Sequence, residues 1–295
     1  MKTSVRSSPP ARPAFRESQW PLLRNALLSY LDSSRSHVVH GMIEMDVTEA
    51  LQAIRRIERE LRIAVSFHAF LLHSLVQAAM RHPTVVTYRR GNKLLTFEDI
   101  DVLTPIEKRL PHGVRIPVAH IVRAAQQKSL AQINWELRSA IRAGDLAGEE
   151  AIRLRRRFAR MPAFIRGLVS WRVKRDPFLL KKLHGTVLLT NVQSRGLANA
   201  CSVLGLTVHT LSLGAGSITD RVKLDQRGVP VNRKILMLSG SADHDIVDGM
   251  VASRFIAQMT RLVESAAGLD SGFVAETRLL QRQESHGNVQ TPVYA

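Results

Sequence analysis

The spacing of apolar and polar positions changes along the chain in a way that predicts alternating strands and helices. The clearest unit covers residues 234–255, where the run Lys234–Leu238 is apolar on both faces, as in a strand buried on both sides. The turn-forming residues Ser239–Ser241 follow and predict the end of that strand. From about Met250, apolar positions return every three or four residues, which predicts a helix, and the carboxylate of Asp248 lies where it would cap the first turn.

The same periodicity locates the other elements. Helical spacing is present over residues 19–32, 48–61, 67–80 and 129–141. Thr48 and Ser129 are residue types that favour the N-cap, so each is expected to begin a helix. Strands are predicted over residues 38–47 and 84–122, with a hairpin turn at Gly91–Asn92. No internal repeat or low-complexity linker divides the chain, so we expect one α/β domain.

The two ends differ in composition from the rest. Residues 1–18 are rich in Arg, Ser and Pro and lack an apolar signal core, so we expect a disordered basic leader. Beyond Gly268 the chain is polar without a sustained apolar period, so residues 267–295 are expected to form a disordered tail. The folded domain is therefore expected to cover residues 19–266.

Composition limits the kinds of protein that the chain can be. With 295 residues and 45% hydrophobic content, it can bury a sizeable core. Its one cysteine, Cys201, excludes an intrachain disulfide and a cysteine-based zinc cluster, and we expect no metal site. No apolar run has the length needed to cross a bilayer, so we expect a cytoplasmic protein that can also be peripheral at a membrane.

The chain is strongly basic, and one segment holds much of the charge. The 42 Lys and Arg residues against 25 Asp and Glu give a net charge of +17, which predicts attraction to polyanions. Residues 153–182 contain eleven basic residues and one acid, Asp176, and prolines 162 and 177 break the segment into pieces. This basic amphipathic insert can contact an anionic membrane surface, steer coenzyme phosphates or form a solvated face. It lacks a recognised nucleic-acid-binding motif, so nucleic acid is not the expected partner.

His244 and Asp248, between the predicted strand and helix, are the candidate catalytic pair. A histidine on a turn at the end of a buried strand can act as a general base near neutral pH, and a nearby carboxylate can fix its loop. A histidine and a helix-capping aspartate also occur at this spacing by chance. Spacing alone does not decide between the two interpretations.

The residues around this pair resemble a family signature. Residues 241–249 read Ser-Ala-Asp-His-Asp-Ile-Val-Asp-Gly. They are similar to the Ser-x-Asp-His-Arg-x-x-Asp-Gly pattern of the dihydrolipoamide acyltransferases of 2-oxo acid dehydrogenase complexes. Chloramphenicol acetyltransferase shares a reduced form of this pattern, His-x-x-x-Asp-Gly. Asp245 is the one departure, since the family has arginine there. The resemblance covers about residues 20–265 and is carried by residues 43–48, 66–83, 113–118, 128–130, 185–191, 213–216 and 225–228.

This resemblance implies a fold and a chemistry. The fold would be the two-layer α/β fold of chloramphenicol acetyltransferase, a mixed sheet packed with helices, and the substrate would be coenzyme A or acyl-CoA. His244 would deprotonate the thiol of coenzyme A or of a dihydrolipoyl group. Thr190 would donate its hydroxyl to the oxyanion, although a purely structural strand threonine is the other interpretation. Asp248 would order the loop, with Arg24 as a candidate partner. The family's site forms between the subunits of a trimer, so a homotrimer or a larger trimer-based assembly is expected.

Two departures from the family keep a second hypothesis open. Asp245 puts a negative charge beside His244, which would favour the imidazolium and weaken the base if the carboxylate is close. No lipoyl domain is expected before residue 20, so a lipoyl-bearing partner would have to supply that group in trans. The alternative is a catalytically reduced protein of the same fold, which serves as an oligomeric scaffold or a membrane-associated binding protein.

Overall fold

The computed structural model describes residues 22, 25, 37–109, 115–142, 153–154, 156–191, 201–203 and 207–285. The predicted leader, and all of the predicted helix at 19–32 except residues 22 and 25, lie outside this part of the chain. Within it, a sheet and the helices that cover it form two layers with the core between them.

Six strands form one mixed sheet, and two form a separate hairpin. The strands are β1 (Val38–Asp46), β2 (Thr87–Arg90), β3 (Lys93–Thr96), β4 (Val102–Arg109), β5 (Arg115–Val122), β6 (Val187–Asn191), β7 (Leu211–Leu224) and β8 (Pro230–Asp243). The sheet has the order β1-β8-β7-β6-β4-β5. β6 is parallel to β7 and β4, and the other neighbours are antiparallel. β2 and β3 form the hairpin predicted at Gly91–Asn92.

Most of the described helices pack on one face of the sheet and form the main core. The helices are α1 (Thr48–Leu61), α2 (Phe67–Arg81), α3 (Leu130–Arg142), α4 (Ala163–Arg175), α5 (Pro177–His184), α6 (Gly249–Glu264) and α7 (Ser271–Ser285). α4 and α5 belong instead to a second, smaller cluster, through Val173 and Leu180. α2 packs against α3 and α6, and its Phe70, Leu72 and Leu75 have no exposed surface. Alternate strand residues, such as Leu189 and Leu213, complete the same core. This arrangement confirms the predicted two-layer α/β fold with a mixed sheet.

The predicted end of the central strand is wrong. β8 continues through Ser239, Gly240 and Ser241 as far as Asp243. These three residues pair with β1 on one side and with β7 on the other. Hydrogen bonding to two neighbouring strands outweighs the local preference of Ser and Gly for turns, because strand propensity depends strongly on context.

The two predicted N-caps have different outcomes. Ser129 confirms the prediction, because its hydroxyl accepts a hydrogen bond from the amide of Gln132 at 3.1 Å. Thr48 is instead the first residue of α1. The N-cap position is held by Val47, without a side-chain cap. The Asp46 carboxylate, one residue earlier, accepts from the Thr48 amide at 3.0 Å and from the Thr48 hydroxyl at 2.6 Å.

The disordered tail predicted at residues 267–295 is wrong for residues 271–285, which form α7. Leu269 and Phe273 are buried in the main core. Ion pairs join α7 to the rest of the chain, between Arg278 and Glu60 at 2.7 Å and between Arg142 and Glu284 at 3.3 Å. These few buried apolar residues therefore attach α7 to the core, although the overall polarity of the segment predicted disorder. Residues 286–295 lie outside the described part.

Prolines divide the basic segment as predicted. α4 begins directly after Pro162 and α5 begins at Pro177, where the Asp176 carboxylate accepts from the Phe178 amide at 3.0 Å. Within this basic segment, α4 does not turn its larger apolar residues towards the protein. Its buried side holds Ser170 and Val173, while larger apolar residues face solvent.

The described residues contain neither a membrane-spanning helix nor a metal site. No helix in this part of the chain has the length and apolarity needed to span a membrane. No group of three or more His, Cys, Asp or Glu residues there is placed to hold a metal ion.

Candidate active site

His244 lies on a tight turn directly after β8. The backbone oxygen of Asp243 accepts from the amides of Ile246 and Val247, at 3.1 Å and 2.9 Å, and its carboxylate accepts from the Asp245 amide at 3.1 Å. The His244 amide donates to the backbone oxygen of His37 at 2.7 Å, which ties the turn to the residue before β1. The backbone of the candidate base is therefore held from two sides.

The imidazole of His244 is exposed on this fixed backbone. Within the described part of the chain, it has no hydrogen-bond or ion-pair partner. An exposed and unengaged imidazole is free to receive a proton from a bound thiol.

The carboxylate of Asp245 is engaged by other residues. It lies 2.8 Å from Nδ1 of His37 and 3.7 Å from Nη1 of Arg89 on β2. The positive charge of Arg89 offsets the negative charge that was expected to act on His244. Sequence reasoning missed this cluster, because nothing in the spacing of residues 37, 89 and 245 predicts that they meet.

Asp248 orders the loop by capping the next helix. Its carboxylate accepts from the Val251 amide at 2.8 Å, at the N-terminus of α6, as predicted. The neighbouring Val247 is buried in the core, which anchors the loop between β8 and α6. Arg24, the candidate partner of Asp248, lies outside the described residues.

Thr190 is half-buried on β6, on the face of the sheet opposite the main core. Its neighbours across the sheet are Gly214 on β7 and then Ser239 on β8. Small residues are required here because residues 201–203 pass close above. A Cβ at Gly214 would lie 2.9 Å from the Val203 backbone oxygen and 2.7 Å from the Ser239 hydroxyl.

The fold separates Thr190 from His244 within one chain. Thr190 is in register with Ser239, which lies two strands away, and His244 is five residues further along β8. With strands about 4.8 Å apart and a rise of about 3.3 Å per residue, the two backbones are roughly 19 Å apart. One protomer therefore brings together His244 and Asp248 but not the predicted hydroxyl.

His68 and His73 lie on α2. Burial lowers the pKa of His68 to about 4, and its Nε2 lies 2.6 Å from the Thr104 hydroxyl. The other ring nitrogen is buried and has no hydrogen-bond partner among the described residues. Burial also lowers the pKa of His73. Both residues are neutral at physiological pH.

Comparison with known proteins gives the context of this site. The model of the acyltransferase catalytic domain of 2-oxoacid dehydrogenases matches residues 16–151 and 182–269. The lipoamide acyltransferase component of the branched-chain alpha-keto acid dehydrogenase complex of Bacillus subtilis (strain 168) is 22% identical over 249 residues. That match covers 82% of this chain and 51% of the relative, so the chain spans about half the length of the curated relative.

Solved structures share the fold. The cubic core of the pyruvate dehydrogenase multienzyme complex has a TM-score of 0.60 and 16% identity, over 88% of this chain and 99% of that one. The dihydrolipoamide acetyltransferase of Azotobacter vinelandii has a TM-score of 0.59 and 16% identity, with the same coverage. Because the family model matches most of the chain, including the His244 loop, the chain belongs to the family of 2-oxoacid dehydrogenase acyltransferase catalytic domains.

Proposed function

We propose that the protein transfers an acyl group between coenzyme A and a thiol such as a dihydrolipoyl group, with His244 as general base. The observation that carries this proposal is the His244 turn, in which an exposed imidazole stands on a backbone fixed by β1 and β8. A dihydrolipoyl group carried by another protein is the proposed partner substrate.

The reaction needs a base and a donor to the oxyanion. A ring nitrogen of His244 takes the proton of the attacking thiol, and the thiolate adds to the thioester carbonyl. The Thr190 hydroxyl donates a hydrogen bond to the resulting oxyanion. When the tetrahedral intermediate collapses, the carbon–sulfur bond of the original thioester breaks and the departing thiolate takes the proton back from the imidazolium. Asp248 keeps the loop in place and transfers no proton.

The separation of Thr190 and His244 supports a site shared between subunits. Two side chains cannot span roughly 19 Å, so a Thr190 hydroxyl that acts with His244 would come from a second copy of the chain. We infer a homotrimer or a larger trimer-based assembly in which each site takes His244 from one subunit and Thr190 from the next. The similar fold of a protein that forms a cubic core is compatible with such an assembly.

The Azotobacter protein supports the choice of residues. Its structure comes from work on the roles of a serine, a histidine and an asparagine in its catalytic mechanism, and that asparagine follows the histidine by four positions. Asp248 follows His244 at the same spacing in this chain. Thr190 retains the hydroxyl that a serine would provide.

Thioester exchange tests the function. Purified protein is mixed with acetyl- or longer acyl-coenzyme A and dihydrolipoamide, and wild type is compared with His244→Ala, Thr190→Ala and Thr190→Ser. We expect exchange that His244→Ala abolishes, Thr190→Ala weakens and Thr190→Ser preserves. A wild-type protein that forms an intact trimer by light scattering but is inert with every donor would refute lipoyl transfer and favour the scaffold hypothesis.

Subunit mixing tests the shared site. His244→Ala and Thr190→Ala subunits are unfolded together and refolded as a mixture, with each variant refolded alone as the control. If each site takes one residue from each of two subunits, random mixing restores about a quarter of wild-type activity. If both residues act within one chain, the mixture shows no more than the mean activity of the two variants refolded alone.

A further inference from the structure

The segment between α3 and β6 exposes apolar side chains of a size that is normally buried. In the described part of the chain, twenty large apolar side chains are exposed, and eight of them fall in this short segment: Leu154, Met161, Phe164, Leu168, Val169, Trp171, Phe178 and Leu183. Residues 152–181 also fall between the two ranges that the family model matches. Most of the exposed apolar surface, including all of α4, therefore lies outside the residues that the family model matches.

Three of these side chains form a stripe along α4. Phe164, Leu168 and Trp171 follow one another at spacings of four and three residues, which places them on one side of the helix. They are 76%, 62% and 49% exposed. Ser170 and Val173, on the other side, are buried. Contiguous apolar surface of this kind marks a binding surface for a protein or a membrane.

Basic residues border the stripe. Each residue of a helix is rotated by about 100° from the one before it. Seen down the axis of α4, Arg172 and Lys174 therefore lie about 80° to either side of the apolar stripe, and Arg175 lies on the stripe, one turn beyond Trp171. All three are exposed, and the Arg175 guanidinium lies 4.5 Å from the centroid of the Trp171 ring. Asp176, the one acid in residues 153–184, is paired with Arg172 at 3.1 Å. The occupant of this surface must therefore be apolar and negatively charged.

We propose that α4 lies on the surface of an anionic lipid bilayer. Aromatic and aliphatic side chains of the stripe would enter the boundary between headgroups and acyl chains, where Trp is favoured. The long basic side chains would reach the lipid phosphates while their stems remain in apolar surroundings. A second copy of the same face suits the surface less well, because it would bring like charges together.

Vesicle flotation of the full chain tests the proposal, with phosphatidylcholine alone compared with phosphatidylcholine containing about a third phosphatidylglycerol. We expect flotation with the anionic vesicles only, weakened between about 0.1 M and 1 M NaCl as the Debye length falls from about 10 Å to about 3 Å. Phe164→Ser with Leu168→Ser, and separately Lys174→Glu with Arg175→Glu, should each lower the partition coefficient at least about tenfold.

A matched control uses apolar residues that are equally exposed elsewhere. Val222 and Leu224, near the β7–β8 turn, are 68% and 70% exposed. Replacing both with Ser should leave vesicle binding unchanged. If this pair lowers binding as much as the α4 pair, the effect is not specific to the stripe and the proposal fails.

Trp171 provides a direct readout in a variant with Trp20→Phe and Trp135→Phe. Insertion should move its emission to shorter wavelength, and brominated lipids should quench it. The proposal is overturned if wild type floats no better with anionic than with neutral vesicles, or if the emission of bound protein stays unchanged. It is also overturned if the α4 variants dissociate an oligomer in light scattering without changing flotation, because the face would then join two copies of the chain.

Discussion

The His244 loop and helix α4 are both exposed, but in different ways. The loop presents polar side chains, including that of His244, on a backbone that hydrogen bonds hold to the residue before β1 and to the end of its own strand. α4 presents a row of apolar side chains, while Ser170 and Val173 face the protein. A reactive group needs a fixed position, whereas a binding surface needs area. This difference agrees with the two tasks that we propose, acyl transfer at the loop and membrane attachment at α4.

The two regions also differ in their relation to the family. The loop lies inside the matched residues, and α4 lies in the gap between them. The chemistry is thus expected to follow the family, while the family model gives no expectation for the surface of α4. Changes in one region should leave the function of the other intact.

The largest expected effect is a loss of thioester exchange that follows a change at His244 but not a change in α4. His244→Ala should reduce thioester exchange by about a hundred- to ten-thousand-fold, which is the usual contribution of a positioned base. The thermal unfolding midpoint should not move, because the imidazole is exposed. Phe164→Ser with Leu168→Ser should retain wild-type exchange in the absence of vesicles. An equal loss of activity in this α4 variant would place α4 in the active site and remove the distinction.

The next largest effect concerns pH and the interior histidine. Burial lowers the pKa of His68 from 6.5 to about 4, so the unfolded chain takes up a proton between these values that the folded chain does not. The free energy of unfolding should therefore fall by about 3 kcal/mol as pH drops from 6.5 to 4, with no such effect above pH 7. His184, whose pKa burial also lowers to about 4, acts in the same direction.

Urea unfolding between pH 7.5 and 4.5 measures this effect. His68→Gln should flatten the pH dependence, and His37→Gln, a change beside the exposed loop, should not. Identical slopes for wild type and His68→Gln would show that His68 gains its proton as readily in the folded chain as in the unfolded one.

A smaller effect tests the packing around Thr190. Gly214→Ala should lower the free energy of unfolding by about 1–3 kcal/mol, because the added methyl would overlap Val203 and Ser239. Gly41→Ala is the matched control in the same sheet, since a Cβ there meets nothing within 4 Å. Denaturant unfolding compares the two variants. Equal stabilities would mean that residues 201–203 do not press on β7.

The smallest effect concerns α4 itself. Phe164→Ser with Leu168→Ser should change the free energy of unfolding by no more than about 0.5 kcal/mol per substitution, because neither side chain packs against the protein. Chemical denaturation without lipid measures this. A loss of several kcal/mol would show that the stripe is part of the protein core in solution.

Helices and strands with a strong apolar periodicity could be predicted from the sequence. Those that depend on contacts with distant parts of the same chain could not. The helix after Asp248 and the cap at Ser129 follow from residues close in the chain. The length of β8 and the docking of α7 depend on strands and helices far away. The local preferences of Ser and Gly predicted a turn within β8, and the polar composition predicted disorder in α7. Both predictions were wrong because tertiary contacts outweigh weak local preferences.

The candidate site divides in the same way. The identities of His244, Asp248 and Thr190, and the family that they indicate, were available from the sequence, since a motif is local in the chain. The engagement of Asp245 by His37 and Arg89 was decided by the tertiary structure, as was the separation of Thr190 from His244. The tertiary structure also turned the apolar side of α4 outwards. The physical reason is that distances and exposure arise from strand register and packing, which join residues far apart in the sequence.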